Sequence, residues 1–198
     1  MTLQTIKRCP WPGEDPLMVT YHDREWGVPI SDDRKIFEFL VLESFQAGLS
    51  WRIVLHKREN FRKDFARFDY RKVARFKAKD VSRLMKDVGI VRNRAKILAA
   101  INNAIKFMEV QKEFGSFSKY MWGWVNHRPI DHKIKTLKGI PAVIPEAENW
   151  AKDLKKRGFK FLGPTVVYAH MQAVGMANDH TMSCFAHSKA KKFRLVRT

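Results

Sequence analysis

Residues 78–112 read AKDVSRLMKDVGIVRNRAKILAAINNAIKFMEVQK, and this stretch decides the fold class. On both sides of Val88-Gly89-Ile90-Val91 the apolar residues recur at helical spacing. A helix over about Ala78 to Asp87 is therefore predicted to turn tightly at Gly89 into a longer helix from about Arg92 to Lys112, bearing Ile97, Leu98, Ile101, Ile105 and Met108. Helix, glycine hairpin, helix is the local order. Such a turn exposes backbone N–H groups at the start of the second helix, where the helix dipole favours an anion, and Arg92, Arg94 and Lys96 follow at once. The arrangement suits a DNA phosphate gripped without any reading of sequence, with a plain basic corner between two helices as the alternative.

Outward from the hairpin the same periodicity holds. Ser31-Asp32-Asp33 offers a cap and an acidic first turn for a helix through about Phe45, followed by the loop Gln46-Ala47-Gly48-Leu49-Ser50 and a further helix starting at Trp51. Asp69 can cap a short helix near Arg71 to Phe76. Later helices are expected around Ser118 to Val125, Pro145 to Arg157 and Pro164 to Met176, with Gly158 and Gly175 ending the last two. There is no convincing series of alternating strands, no internal repeat and no low-complexity linker, so the expectation is an all-α chain forming one compact unit over residues 1–198.

A hydrophobic content of 45% over 198 residues suffices for a core, and no apolar run reaches membrane-spanning length. Lys and Arg number 38 against 20 acidic residues, a formal charge of +18 that supports contact with nucleic acid without naming it. Ala186 to Thr198, with Lys189, Lys191, Lys192, Arg194 and Arg197, reads as a basic tail. MTLQTIKRCPW lacks the apolar region of a secretory signal, so a cytoplasmic location with reduced thiols is expected.

The two cysteines fall in widely separated pairs with histidines, Cys9 with His22 and His180 with Cys184. A helical turn would bring His180 and Cys184 onto one face, and Cys9 and His22 would complete a closed tetrahedral zinc site joining the chain ends. A Cys9–Cys184 disulfide is the rival, weakened by the expected compartment, and unrelated surface and core roles for these side chains stay open.

Glu43 sits by helical spacing beside Ile36, Phe39 and Leu40, where a carboxylate must be paired with a nearby Arg or Lys or serve as a recognition group at a pocket wall. Trp51 follows across the glycine loop, and Trp11, Tyr21 and Trp26 add aromatic surface near the first pair of metal-type ligands. Aromatics are mainly core, but flat walls around one acceptor suit a nucleobase.

Arg8-Cys9, Tyr21-His22-Asp23 with Glu25-Trp26-Gly27-Val28-Pro29, Leu42-Glu43, Gln46-Ala47-Gly48-Leu49-Ser50-Trp51, Lys155-Lys156-Arg157-Gly158-Phe159-Lys160-Phe161 and Asn178-Asp179-His180 occur in that order. Together they closely resemble the 3-methyladenine DNA glycosylase I family. The resemblance implies a helix-hairpin-helix glycosylase fold, one structural zinc ion held by Cys9, His22, His180 and Cys184, and excision of N3-methyladenine from alkylated double-stranded DNA. It implies no obligate protein partner. Glu43 and Tyr21 would hydrogen-bond the extruded base, Trp51 would stack on it, and Trp11 and Trp26 would line the pocket; apart from the resemblance, Gly48, Gly89 and Leu49, the last filling the gap left by the base, are expected to meet DNA.

Met18 departs from the family pattern, standing in place of a second pocket tyrosine, as do Ser44 and Phe45, and both departures bear on selectivity. No Asp occurs between Asp87 and Asp131, so the acidic residue that many such glycosylases carry after the hairpin is missing and no catalytic residue is assigned. A non-enzymatic DNA-binding module and a glycosylase for another modified base are the rival readings. A zinc hydrolase or deaminase lacks a three-ligand site with a general-base carboxylate.

Overall fold

The computed structural model describes residues 6–190. Within them the chain is built from helices: α1 (Pro16–Arg24), α2 (Asp33–Gln46), α3 (Trp51–His56), α4 (Arg58–Asp64), α5 (Tyr70–Val73), α6 (Ala78–Lys86), α7 (Arg94–Phe114), α8 (Phe117–Gly123), α9 (Pro145–Lys156), α10 (Pro164–Ala173) and the short α11 (His187–Ala190). A two-residue parallel bridge pairs β1 (Ile130–Asp131) with β2 (Ala177–Asn178). Residues 191–198 of the expected basic tail lie outside the described residues.

Local chemistry starts the helices where the sequence predicts. Asp32 accepts the Lys35 N–H at the head of α2, Ser50 that of Ile53 at α3, and Asp69 those of Arg71 and Lys72 at α5. The helix after the hairpin begins two residues later than its periodicity suggests, because Asn93 caps it through the Lys96 N–H. Its buried side is also different. Ile97, Ala100, Ala104, Phe107 and Val110 face the core, while Leu98 and Ile105 are exposed, since the small alanines allow closer packing than the larger apolar residues would. Helix α1 lies outside the helices expected from periodicity; Asp15 caps it and a proline at its first position starts it.

Helix α2 is the centre of the molecule, with every residue from Ile36 to Phe45 buried. Phe37 on α2 meets Phe107 of α7, which stacks on Phe117 of α8 at 4.0 Å. Asp33, at the start of α2, accepts the opening N–H groups of α8 from Phe117 and Ser118, so one carboxylate fixes two helix ends. A helix buried all round must still satisfy its polar groups, which makes the two glutamates inside it informative. Glu38 is paired with Arg58 and Arg62. Glu43 is not.

Candidate functional site

Glu43 lies three residues before the end of α2, at the wall of a cavity of about 320 Å³ also lined by Trp11, Tyr21, Trp26, Gln46, Trp51, Leu137, Ile140, Ala169 and Gln172. That volume falls within the range usual for small-ligand sites, roughly 300–1,000 Å³. The rings are mutually braced: Trp11 meets Trp26 at 5.0 Å and Tyr21 meets Trp51 at 5.1 Å, both far from parallel. Glu43, Tyr21, Trp51, Trp11 and Trp26, the five residues read from the sequence as a base pocket, all line the cavity. Gln46, Leu137, Ile140, Ala169 and Gln172 escaped that reading. Gln46 carried a usable signal, since it opens the Gln46-Ala47-Gly48-Leu49-Ser50-Trp51 run that leads to Trp51.

The ion pair weighed for Glu43 does not form. Among the described residues no hydrogen-bond donor or cation pairs with its carboxyl group, and the buried Arg58 is committed to Glu25 and Glu38. Burial alone pushes the Glu43 carboxyl up to about 8. Tyr21 is as deeply buried, its hydroxyl is likewise without a partner among the described residues, and burial together with the nearby Glu43 charge raises its pKa. The indole N–H groups of Trp11 and Trp51 are also buried and unpartnered. An apolar cavity with this many unsatisfied polar groups is poor at being empty and well made for a flat, polar-edged molecule.

The two departures from the family pattern end up in the core. Met18 is buried and does not line the cavity. Ser44 turns back to donate to the Val41 carbonyl, and Phe45 packs edge-on against Phe61.

Next to this cavity the four metal-type side chains meet. Cys9, His22, His180 and Cys184 are all buried, with their ligand atoms within 4.8 Å of one another, and both cysteines are free thiols. The sulfur–nitrogen separations are 3.6 Å for Cys9 Sγ to His180 Nδ1, 3.5 Å for Cys184 Sγ to His22 Nε2 and 3.7 Å for Cys184 Sγ to His180 Nδ1. A tetrahedral zinc with usual bond lengths has sulfur–nitrogen edges of about 3.5 Å. The other imidazole nitrogens are held in the manner of metal ligands, His22 Nδ1 by Asp23 at 2.8 Å and His180 Nε2 by the Trp26 carbonyl at 3.0 Å. The sulfurs oppose each other's ionisation, hydrogen bonding drawing Cys184 down and pushing Cys9 up, so a cation is what would let both ionise. These residues can hold a metal.

The expected helical face for His180 and Cys184 is corrected: residues 180–184 form a turn, closed by the Cys184 N–H on the Thr181 carbonyl at 2.8 Å. Close approach is secured instead by Gly27, whose φ is +75° and where a Cβ would lie 2.9 Å from His180 Nε2. The cluster also reaches the cavity. Trp26 stands 4.6 Å from the His180 ring, and Gln172 of the cavity wall donates to the buried Asp179 beside it.

On the hairpin, Val88 is 71% exposed, and Arg92 and Arg94 are exposed with no partner among the described residues. Lys57 Nζ and Asn60 Nδ2 donate to the carbonyls of Val88 and Gly89 from behind. The Gly89 N–H is taken by Asp87 at 2.6 Å, so it is not free for an anion as expected. Gly89 is favoured by packing, since a Cβ there would sit 2.7 Å from the Asn60 side chain and 2.8 Å from that of Asp87, and both would have to shift. Lys96 is a second correction: it is buried, and its Nζ donates to the carbonyls of Phe45 (2.9 Å) and Ala47 (2.6 Å) rather than facing a phosphate. The C-terminal carbonyls of α2 attract a cation, which explains the inward turn. Lys96 thus ties the start of α7 to the loop carrying Gly48, with φ +83°, and the half-exposed Leu49.

A mostly helical chain with an aromatic cavity for a flat ring, beside a buried Cys/His cluster and a basic hairpin, has the makings of a protein that handles single nucleobases. A family model described as methyladenine glycosylase matches residues 11–187, and the chain belongs to that family. DNA-3-methyladenine glycosylase 1 of Escherichia coli (strain K12) is 47% identical over 179 residues, covering 90% of this chain and 96% of that one. A crystal structure of 3-methyladenine DNA glycosylase I superposes with a TM-score of 0.89 at 46% identity, covering 91% and 100% of the two chains. A tyrosine-to-phenylalanine variant of 3-methyladenine DNA glycosylase I in complex with 3-methyladenine superposes with a TM-score of 0.89 at 36% identity, covering 95% and 99%. No described helix is long and apolar enough to cross a membrane.

Proposed function

We propose that this protein flips N3-methyladenine out of alkylated duplex DNA and hydrolyses its N-glycosidic bond, leaving an abasic site. The observation that carries the reading is the pairing of an unpartnered Glu43 carboxyl with an unpartnered Tyr21 hydroxyl in one aromatic cavity. N3-methylation makes adenine in DNA cationic. A buried carboxyl raised to about 8 holds its proton at neutral pH, and it gives that proton up when a cationic ring arrives to stabilise the carboxylate. An ordinary adenine offers no such compensation.

Extrusion costs a few kcal/mol, less for a damaged base, and stacking on Trp51 returns about 1 to 3 kcal/mol. With those terms nearly balanced, the Glu43 contact decides which base stays. Charge moves from base to sugar as the bond breaks, so Glu43 stabilises the bound state as well as the transition state and acts mainly as a selector. The cationic base is a good leaving group, which lowers the demand for acid–base help.

DNA contact is assigned to the helix-hairpin-helix of α6 and α7, through the hairpin backbone, Arg92 and Arg94, with Leu49 filling the gap left by the base. Cys9, His22, His180 and Cys184 would hold one zinc ion. Four protein ligands leave no open position for water, so its part is to fasten the turn that backs Trp26 and Gln172. Incubation with methylated duplex DNA and identification of the released base tests the proposal. Release of 3-methyladenine is expected. Binding without release would favour a DNA-binding module, and release of a different base a divergent glycosylase.

A further inference from the structure

Beside the base cavity lies a second hollow, of about 540 Å³, that nothing above employs. Its lining includes Arg8, Lys135, Thr136, Lys138, Thr181 and Ser183, three cations and three hydroxyls, with no acidic residue. Arg8 is partly neutralised by Asp23. Lys135 and Lys138 are exposed and have no hydrogen bond or ion pair among the described residues.

We propose that this hollow seats a backbone phosphate of the DNA strand whose base enters the neighbouring cavity. Leu137 lines both spaces, so a strand with one nucleotide turned into the cavity carries an adjoining phosphate across this residue. Three cations with the exposed hydroxyls of Thr136 and Ser183 match a phosphodiester, while the Thr181 hydroxyl lies buried against Cys9 Sγ, and none of the lining side chains repels the anion. The seat is anchored. The Ile134 carbonyl accepts the Met182 N–H at 2.7 Å, and His132 Nδ1 pairs with the buried Asp179 at 2.6 Å. The loop bearing both lysines is therefore fastened to the turn that carries His180 and Cys184. The hairpin and this hollow would hold the strand at two places, with the extruded nucleotide between them. The inference rests on the proposed excision of a base from DNA.

The test compares the parent protein, the Lys135→Gln/Lys138→Gln double variant and a control with the same charge loss on α9, Lys152→Gln/Lys156→Gln. Duplex containing an abasic-site analogue is titrated at several salt concentrations, and free 3-methyladenine binding is followed by tryptophan fluorescence. Each lost phosphate contact reduces the slope of log K against log salt by about 0.9. The Lys135/Lys138 variant should flatten the slope by about 0.9 and weaken duplex binding about tenfold near 0.1 M salt, with the control close to the parent. Equal slopes for the two double variants would overturn the seat. Failure of the parent to bind free base would count instead against the excision reading, so the two failures are distinct.

Discussion

Replacing Glu43 by Gln should stabilise the protein while spoiling its selectivity. The folded-state pKa of Glu43 is raised from about 4.5 to about 8 by burial. Between those values the folded protein holds a proton that the unfolded chain has released, so stability falls as pH rises through this window and levels off above pH 8. At about 1.4 kcal/mol per pH unit, the loss reaches about 3 kcal/mol at pH 7 and about 4 kcal/mol at pH 8. The amide of the variant has no such proton to lose. Denaturant unfolding of both proteins at pH 5, 7 and 8.5 should show Glu43→Gln more stable by an amount that grows from under about 1 kcal/mol to about 5 kcal/mol. A difference that stays constant over this range refutes the reasoning, because it removes the desolvated carboxyl as the cause. The same variant should lose discrimination between methylated and undamaged duplexes more than it loses bond-cleavage rate in single-turnover kinetics; slowing of the chemical step alone would make Glu43 an accelerator instead.

Stripping metal with a chelator should release about one zinc per chain and lower the melting temperature by at least about 10 °C, as metal analysis and thermal unfolding would report. An unchanged melting curve would contradict a structural ion. Lys96→Met leaves the Phe45 and Ala47 carbonyls without their donor, at a cost of about 2–4 kcal/mol in denaturant unfolding. Its kcat/KM on damaged duplex should fall more than its affinity for free base. Gly89→Ala must displace Asn60 and Asp87 from behind the hairpin, costing about 1–3 kcal/mol, with duplex binding reduced and free-base binding retained.

Helix starts were legible because their causes are local. Asp32, Ser50 and Asp69 each cap the helix predicted for them, since a cap needs only the next two or three residues. The aromatic side of the cavity was legible through the family pattern. Leu137 and Ile140 were not, because they sit on a loop whose position is set by contacts made much later in the chain, such as that between Ile134 and Met182. Lys96 illustrates the same limit. In sequence it belongs with Arg92 and Arg94, and only the end of α2, some fifty residues earlier, explains why it turns inward. The face of α7 went astray for a similar reason, because alanines mark close packing only when the opposing helix is known.

The contact between Cys9 and the His180–Cys184 turn has a consequence for how the protein is born. Trp26, which walls the cavity, is backed by His180 and cannot acquire that support until the ribosome has delivered that histidine, 154 residues later. A nascent or prematurely terminated polypeptide therefore carries the hairpin and its positive charge before it possesses a finished receptacle. It can cling to nucleic acid early, but it gains the means to test a base only once the segment around His180 has been made.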